Sequence, residues 1–313
     1  MGKLVSIIIP TYNRANLIIQ TLESIRNQTY REFECLIIDD GSDDNTEEVV
    51  QLFINADNRF QFLERPSNKI KGPNSCRNYG FEKARGEFIY FFDSDDFLKP
   101  HALETYINGF NPESDGVLAQ VERVDRITGI LQDINSIDSE NLIEDYFLNK
   151  VSYFVCGILW RKPFLDNQPE LFDEAIGHHD EWDFNLRMIY AKARIVKIYQ
   201  PLVVYYQHQH SFKKEIQKAN DIQIESAIKA RYKHLKILAE QNPDNEKIFL
   251  KHIADYHKKT VRNKLIAHQN NWFVYYKKAC VLYLRINSFT PLLKMSYGVV
   301  SYSLFNKGYS FFD

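Results

Sequence analysis

The sequence predicts an α/β fold with a doubly wound, mainly parallel sheet, followed by a C-terminal helical appendage. Short apolar runs rich in β-branched and aromatic residues alternate with amphipathic helices, and this βαβαβ order is typical of parallel sheets. The runs lie at residues 4–9, 33–38 and 87–92, and each stops at a polar cluster. Because right-handed crossovers bring the carboxyl ends of parallel strands to one edge, we expect the three clusters to form one ligand site.

The first strand stops at residues 10–14, which read Pro-Thr-Tyr-Asn-Arg. Pro10 is expected to end the strand, because proline has no amide hydrogen for the ladder. The backbone that follows is then free to turn around a bound base. Apolar residues at helical spacing between 17 and 25 predict an amphipathic helix after this turn.

The second strand stops at the turn Asp-Asp-Gly-Ser, residues 39–42, and residues 49–54 again have helical spacing. Gly41 permits a tight turn because glycine tolerates positive φ. Asp39 is expected to orient this loop. The alternative interpretation is a plain turn that caps a helix beginning near Asp43.

The third strand runs directly into Asp93, Asp95 and Asp96. Closely spaced oxygen ligands on a stiff strand end suit Mg²⁺ or Mn²⁺, so the cluster favours a metal-dependent enzyme acting on a phosphate ester. The alternative is that these acids cap the next helix. For Asp96 two interpretations stand level: a second metal ligand, or the cap of a helix that starts beyond Pro100.

Four segments together resemble the family-2 glycosyltransferases of the GT-A fold, which are inverting enzymes with nucleotide-sugar donors. These segments are residues 6–14, 34–42, 77–80 and 92–96, in the order and at the spacing of that family. The resemblance covers residues 1 to about 210, the size of one ordinary domain. It implies a catalytic, donor-binding domain at 1–212 and a separate helical region at 213–313.

The resemblance also implies roles for residues in these segments. The donor nucleotide, with a UDP-sugar favoured, would be held by Pro10, Thr11, Tyr12, Arg14, Asp40, Arg77 and Asp93. Tyr12 would stack on uracil and Asp40 would accept a hydrogen bond from its edge. A plain surface aromatic is the alternative for Tyr12. Arg77 falls on a predicted helix at 74–84, where a surface salt bridge is the alternative.

The acidic cluster corresponds to the Asp-x-Asp signature of the family, with Asp93 toward the ribose and Asp95 on the metal. A bound Mn²⁺ or Mg²⁺ would bridge the donor phosphates and take up charge as the nucleoside diphosphate departs. His208 follows a predicted strand at 202–206, and related enzymes place a histidine or basic residue in this region, over the diphosphate or on the metal. The resemblance thus implies His208 as a metal ligand beside Asp93 and Asp95. A solvated loop is the alternative, and Lys213 and Lys214 are further candidates for phosphate contact.

The general base is expected at the start of a predicted amphipathic helix, where residues 180–183 read Asp-Glu-Trp-Asp. This resembles the Glu-Asp-Trp-Asp element of the family, whose second acid is the base, with the first two acids exchanged. By register Glu181 takes the catalytic place and Asp180 the supporting place. The alternative is that acids in a first turn compensate the helix dipole.

Composition narrows the class of protein. The chain has 313 residues, of which 44% are hydrophobic, so it can bury the core of one large domain plus an appendage. A net charge of -2 gives no general attraction to nucleic acid. The four scattered cysteines show no zinc-site spacing and predict reduced thiols. Because no signal peptide precedes the first strand, a cytoplasmic protein is expected.

The region from residue 213 predicts helices, with a break at Pro243. It becomes basic and aromatic between 272 and 305. No run without charge approaches the roughly 20 residues that span a bilayer, so at most this region lies on the membrane surface. The alternative is a helix pair packed on the catalytic domain or on another subunit, which would make a homo-oligomer.

The sequence therefore favours an active hexosyl- or N-acetylhexosaminyl-transferase that builds a surface polysaccharide. Its acceptor would be the hydroxyl of a glycan or a lipid-linked glycan. The alternative is a non-catalytic protein of the same fold that binds a nucleotide sugar or scaffolds an assembly. A sugar-phosphate nucleotidyltransferase ranks below both, because Pro-Thr-Tyr stands at the first turn in place of a glycine-rich phosphate loop.

Overall fold

The computed structural model describes residues 3–177, 179–207, 220–241, 245–305, 307 and 309–312. The chain divides into two compact units, Met1–His208 and Gln209–Asp313. The domain boundary predicted at residue 212 lies outside the described residues.

In the described part of the first unit, nine strands form one sheet. They are β1 (Val5–Thr11), β2 (Phe33–Asp39), β3 (Phe60–Glu64), β4 (Phe88–Phe91), β5 (Phe97–Leu98), β6 (Gly116–Asp125), β7 (Leu131–Ile134), β8 (Ile158–Arg161) and β9 (Ile195–Gln207). The strand order is β3-β2-β1-β4-β8-β6-β9-β5, and β7 pairs with the outer part of β6. The three strands expected from the sequence are β1, β2 and β4.

Strand direction changes across this sheet. The half formed by β3, β2, β1 and β4 is parallel throughout, as predicted. β8 is antiparallel to both β4 and β6, whereas β6 and β9 are parallel. The parallel half is the part that delivers β1, β2 and β4 to one edge, and the other half extends it as a mixed sheet.

Helices cover the sheet in the first unit and make up most of the second. The first unit contains α1 (Ile18–Arg26), α2 (Thr46–Ala56), α3 (Pro73–Lys83), α4 (Ala102–Gly109), α5 (Leu142–Phe147), α6 (Lys162–Asp166) and α7 (Asp180–Tyr190). The second contains α8 (Asp221–Gln241), α9 (Glu246–Ile266), α10 (Trp272–Arg285) and α11 (Phe289–Phe305). The helices predicted near 17–25, 49–54, 74–84 and 180, and those of the C-terminal region, are confirmed.

The core of the first unit lies on both faces of the parallel half-sheet. Every residue of β1, β2 and β4 is buried, which is why these strands read as unbroken apolar runs. Helix α3 packs especially close, because a Cβ on Gly80 would lie 2.4 Å from Cγ2 of Ile8 on β1. The missing side chain therefore sets the distance between helix and sheet, and it fixes the position of Arg77 one turn earlier.

Pro10 does not end β1, which continues to Thr11. The carbonyl of Ile8 accepts a hydrogen bond from the Phe92 amide at 3.0 Å. Backbone polar groups two residues apart on a strand point to the same side, so the Pro10 nitrogen also faces β4. At that level β4 has already ended, at Phe91. No hydrogen bond of the sheet is lost there through the missing amide hydrogen of proline. The expectation that Pro10 ends the strand was therefore wrong by one residue.

The second unit is held by apolar packing and by polar contacts between helices. Tyr283 on α10 donates to Asp255 on α9 at 2.6 Å, and Tyr275 donates to Glu225 on α8 at 2.8 Å. Within the described residues, none of the helices has the combination of length and apolarity that crossing a membrane requires. The four cysteines are unpaired, as predicted.

Candidate active site

The polar ends of β1, β2 and β4 meet at one edge of the sheet. Thr11 and Asp39 are register partners at the last positions of β1 and β2. The amide of Asp40 donates to the Thr11 carbonyl at 2.9 Å, so the pairing continues beyond the strands. The Arg14 guanidinium lies 4.0 Å from the carboxylate of Asp95, which follows β4. The expected convergence of the three clusters is thus observed.

Asp39 fixes the turn after β2. One carboxylate oxygen accepts hydrogen bonds from the amides of Gly41 and Ser42 at 2.9 and 2.8 Å. Gly41 has a φ of 83°, the left-handed region that favours glycine. The Ser42 hydroxyl in turn accepts from the Asn13 amide at 2.9 Å, which ties this turn to the loop after β1. Asp39 therefore orients the loop, as its position suggested.

Asp40 lies beside a residue that carried no sequence signal. Its Oδ1 pairs with Nε of Arg65 at 2.5 Å and accepts from the Gly72 amide at 3.1 Å. Arg65 follows β3, and its Nη1 donates to the carbonyls of Pro66 and Lys69. Only the pairing of β2 with β3 brings this cation to Asp40, so no local motif identifies it.

Tyr12 presents an open ring face next to this group. Its side chain is 41% exposed, and Nζ of Lys71 lies 3.9 Å from the ring centroid. The neighbouring Thr11 is buried, and its hydroxyl oxygen has no hydrogen-bond partner among the described residues. A buried polar atom without a partner is costly, and a bound ligand at this strand end would supply the missing hydrogen bond.

Arg77 joins the strand end to helix α7. Nη2 pairs with Asp93 at 2.8 Å and Nη1 with Asp180 at 2.7 Å, and the side chain is only 6% exposed. Burial opposes the charge, but the two carboxylates outweigh it and raise the Arg77 pKa above its ordinary value. The alternative of a surface salt bridge was wrong, because this guanidinium lies inside the protein between two acids.

The acids after β4 are crowded and largely buried. Burial raises the pKa of Asp93, Arg77 opposes that rise, and Asp95 adds to it. Burial, then Asp95 and Asp93, also raise the pKa of Asp96 well above its usual range. The raised pKa values reflect burial and repulsion between neighbouring carboxylates. A bound divalent cation would offset that repulsion.

Asp96 does not cap the next helix, and its role as a second metal ligand stays a prediction. Its Oδ1 accepts from the Tyr206 amide of β9 at 3.2 Å, and its Oδ2 has no partner within the described residues. Helix α4 begins at Ala102, with His101 at its N-cap, so Asp96 does not cap it. Asp96 is 1% exposed, and its hydrogen bond from the Tyr206 amide anchors β9.

The carboxylates of Asp93 and Asp95 are chemically suited to a divalent cation. Mg²⁺ and Mn²⁺ sites commonly use one or two carboxylates and complete their shell with water and substrate phosphates. Within the described ranges no group of three or more His, Cys, Asp or Glu side chains is placed to hold a metal. His208 lies outside the described residues, as do His178, His210, Lys213 and Lys214.

Arg126 is a second cation that sequence inspection missed. It follows β6, its Nη1 donates to the Asp95 carbonyl at 3.1 Å, and its guanidinium lies 5.2 Å from the Tyr206 ring centroid. No motif surrounds it, and only the pairing of β6 with β9 brings it to the acidic turn. Arg14 and Arg126 thus both stand beside Asp95.

Helix α7 presents its two leading acids differently. Asp180 is committed to Arg77, whereas Glu181 accepts a hydrogen bond from the Val155 amide at 3.0 Å. Burial raises the pKa of Glu181 to about 7, and the Val155 amide opposes that rise. Trp182 anchors the helix by donating to the Tyr146 carbonyl at 3.2 Å. A pKa of about 7 suits Glu181 to accept a proton near neutrality.

Comparison with known proteins decides the family. The family model described as glycosyl transferase family 2 matches residues 6–165. The chain belongs to glycosyl transferase family 2. The family that the sequence segments indicated is therefore confirmed.

The curated relatives of this glycosyltransferase are longer than the parts that align. A putative glycosyltransferase, EpsH of Bacillus subtilis, is 30% identical over 222 residues, which are 68% of this chain and 64% of EpsH. A GalNAc(5)-diNAcBac-PP-undecaprenol β-1,3-glucosyltransferase of Campylobacter jejuni is 39% identical over 106 residues, 34% of each protein. The chain spans less than two thirds of the length of these relatives.

Solved structures support the fold. TarS 1-349 of S. aureus superposes with a TM-score of 0.61 at 19% identity, covering 96% of this chain and 92% of TarS 1-349. The mannosyltransferase PcManGT of Pyrobaculum calidifontis gives a TM-score of 0.53 at 16% identity, covering 97% and 87%. The expected GT-A architecture with a C-terminal helical region is confirmed.

We predict that Arg77→Met destabilises the protein far more than removal of an exposed ion pair. The substitution leaves the Asp93 and Asp180 carboxylates without their buried partner, which typically costs about 3–5 kcal/mol. Arg194→Met is the matched control, because Arg194 pairs with Asp115 at 3.1 Å but is 61% exposed. Loss of an exposed pair costs about 0–1 kcal/mol. Urea unfolding of both variants measures the difference.

Adding Asp180→Asn to Arg77→Met should recover part of the lost stability, because the second substitution removes one of the stranded charges. Equal destabilisation by Arg77→Met and Arg194→Met would show that the buried cluster is not held by Arg77.

Proposed function

We propose that this chain is an inverting glycosyltransferase that moves a hexosyl or N-acetylhexosaminyl group from a UDP-sugar to an acceptor hydroxyl. The observation that carries the proposal is the bridge made by Arg77. One guanidinium pairs with Asp93, which follows β4, and with Asp180, which is adjacent to Glu181. Arg77 thus positions both an acid suited to binding the sugar donor and the helix turn that carries an acid suited to proton transfer.

The donor site in this proposal is the edge formed by Pro10, Thr11, Tyr12 and Asp40. The exposed ring of Tyr12 offers a stacking surface, and the orphaned Thr11 hydroxyl offers a polar contact. TarS has been solved with UDP and with UDP-GlcNAc, and PcManGT with GDP-Man and Mn²⁺. These likenesses support a nucleotide-sugar donor, and the uracil preference rests on Tyr12 and Asp40.

The metal site in this proposal is Asp93 and Asp95, with His208 as a further ligand. A bound Mn²⁺ or Mg²⁺ would supply Lewis-acid assistance to the departing diphosphate. Arg77 holds Asp93 in place from inside the protein. Arg14 and Arg126 lie at the Asp95 turn, where guanidinium groups can form charge-assisted hydrogen bonds to phosphate oxygens.

Glu181 is the general base in this proposal. A carboxylate with a pKa near 7 is partly deprotonated at neutral pH and still basic enough to accept a proton from the acceptor hydroxyl. Asp180 acts as a positioning residue, because its ion pair with Arg77 fixes the first turn of α7. Inversion requires the base to lie on the face of the sugar opposite the leaving group.

We predict that Glu181→Gln lowers kcat by about 10² to 10⁴-fold while UDP affinity stays near that of the wild type. In the wild type kcat/KM should rise as pH increases through about 7, because the base acts deprotonated and burial raises its pKa. The same pH series should show no such rise for residual Glu181→Gln activity. Transfer assays across pH 5.5 to 8.5, in steps of about half a unit, cover that transition.

Asp180→Asn is the control for this assignment. Because adjacent helix residues point about 100° apart, only one of the two acids can face the acceptor hydroxyl. An inactive Asp180→Asn beside an active Glu181→Gln would move the base by one residue.

The proposed function is tested by a donor screen with Mn²⁺, in which the release of nucleoside diphosphate from each nucleotide sugar is measured. We predict release from a UDP-sugar, and we predict that Asp95→Asn abolishes it together with Mn²⁺-dependent UDP binding. The amide keeps the shape of the side chain but removes the charge that holds a hard cation. Asp133→Asn on β7, whose carboxylate is 44% exposed, is the control.

The screen also separates the alternatives. Unchanged UDP affinity of Asp95→Asn in Mn²⁺ would end the metal assignment. Binding of GDP without binding of UDP would end the uracil assignment. UDP binding without release from any donor, with candidate acceptors present, would favour the non-catalytic binding or scaffold protein.

For the acceptor we propose a lipid-linked glycan met at the inner face of the membrane. Helix α11 exposes one apolar stripe, formed by Leu293, Tyr297, Val300 and Leu304 at successive turns. Helices α10 and α11 together carry four basic residues and no acidic one. An apolar stripe with aromatic and lysine neighbours fits the surface of a bilayer that contains anionic lipid.

We predict that the protein sediments with vesicles of phosphatidylglycerol and phosphatidylcholine, and that salt weakens this binding. Leu293→Glu with Leu304→Glu should abolish it, since each side chain is 69% exposed and buries its apolar surface only on binding. Ile222→Glu on α8, where the side chain is 79% exposed, is the matched control. The contrary outcome is a wild type that does not bind vesicles but is a dimer in light scattering, while the double variant is a monomer. That result would assign the stripe to contact with a second copy of the chain.

A further inference from the structure

Tyr205 on β9 lies beside the acidic turn that follows β4. The next residue of the strand, Tyr206, accepts this attachment by donating its backbone amide to the Asp96 carboxylate at 3.2 Å. Successive side chains of a strand point to opposite faces, so the rings of Tyr205 and Tyr206 leave β9 in opposite directions. The Arg126 guanidinium lies 5.2 Å from the Tyr206 ring centroid. Tyr205 therefore occupies the other face of the strand.

On that face Tyr205 reaches the segment that holds Glu181. Its ring packs on the Phe154 ring, with the centroids 5.3 Å apart and the planes inclined by 35°. Phe154 immediately precedes Val155, whose amide donates to the Glu181 carboxylate at 3.0 Å. Both rings rest on the apolar core of the first unit but are only partly buried. The two aromatic side chains thus stand beside the proposed base, on segments attached to the acids of the site.

Within the described part of the chain, the Tyr205 hydroxyl has no hydrogen-bond partner. Burial raises the pKa of this hydroxyl, and nearby negative charge raises it further. The charge comes from carboxylates of both the acidic turn and helix α7, namely Asp96, Glu181, Asp93 and Asp95. The hydroxyl therefore stays protonated at neutral pH and is available to donate a hydrogen bond to an uncharged oxygen.

We propose that Phe154 and Tyr205 form a subsite for the sugar ring of the acceptor. The proposal rests on the function proposed above and specifies which part of the acceptor lies next to the reacting hydroxyl. A sugar ring has C–H groups that pack on aromatic side chains and oxygens that need hydrogen bonds, and this pair offers both. Tyr205 would donate to an oxygen of that sugar and exchange no proton, while Glu181 accepts the proton of the attacking hydroxyl.

The position and chemistry of the pair favour the acceptor sugar over other parts of the two substrates. The proposed nucleotide contacts follow β1 and β2, whereas Tyr205 lies on β9 and Phe154 precedes β8, in the mixed half of the sheet. Neither side chain carries the positive charge that a diphosphate would attract. An alkyl chain would leave the Tyr205 hydroxyl without a partner, which is costly for an enclosed polar group.

The test uses octyl glycosides of glucose, galactose, N-acetylglucosamine and N-acetylgalactosamine as acceptor probes, with the UDP-sugar that the donor screen identifies. We expect Tyr205→Phe to raise the acceptor KM by about 3- to 10-fold, because one neutral hydrogen bond is lost, with kcat within about twofold of the wild type. Phe154→Leu should also raise this KM, because it removes the flat ring face. Tyr199→Phe is the matched control, since Tyr199 lies on the same strand but is 65% exposed and donates to Asp138 at 2.9 Å.

Donor hydrolysis by water and UDP affinity in calorimetry separate the subsite from other roles of Tyr205. Both need the donor site but no acceptor sugar, so we expect both to be unchanged in Tyr205→Phe. Weaker UDP binding or slower hydrolysis in that variant would assign Tyr205 to the donor and overturn the proposal. An acceptor KM equal to that of the wild type would overturn it too, because it would leave Tyr205 a purely structural role. Thermal unfolding checks that each variant is folded.

Saturation-transfer NMR with the same glycosides, in UDP and Mn²⁺, tests the subsite without turnover. We expect binding that Tyr205→Phe weakens and Tyr199→Phe leaves unchanged. A wild type that binds UDP but none of the glycosides would overturn the subsite and leave the proposed donor site intact. A wild type that binds no nucleotide would contradict the proposed function, and the glycoside signal would still decide whether Phe154 and Tyr205 bind a sugar.

Discussion

The buried ion pairs of Arg77 are the interaction on which the rest of the site depends. Asp93 and Asp180 lie on elements that are far apart in sequence, and both carboxylates meet one guanidinium. Without it, two partly buried negative charges would face each other, and a third would stand nearby at Asp95. The close packing of α3 on β1 holds Arg77 rigidly enough to serve both elements.

The parallel half of the sheet could be predicted from the sequence, because each of its central strands is recognisable from its own residues. Strands β1, β2 and β4 are buried on both faces, so composition alone marks them, and their ends follow from chain order. The acids at residues 93, 95, 180 and 181 were identifiable for the same reason, since each stands at the boundary of a strongly patterned element. Their chemical roles remain proposals.

The contacts that could not be predicted from the sequence depend on pairing between strands that are far apart in the chain. Arg65 and Arg126 sit in unremarkable loops, and only the neighbours of β3 and β6 in the sheet bring them to Asp40 and Asp95. Asp96 was ambiguous because its partner is an amide of β9, more than 100 residues away. Strand pairing of this kind leaves no periodicity in the chain, so side-chain patterns alone do not reveal it.

The contact between Gly80 and Ile8 limits how such an enzyme can diversify. Any side chain at position 80 would push α3 away from β1 and shift Arg77 relative to both of its acids. The atoms nearest to that added Cβ belong to Ile8 and Ile38, which lie on β1 and β2, so substitutions in the loops beyond the strands leave this contact intact. Loop substitutions can therefore accumulate, while the packing that holds Arg77 between Asp93 and Asp180 tolerates almost no change.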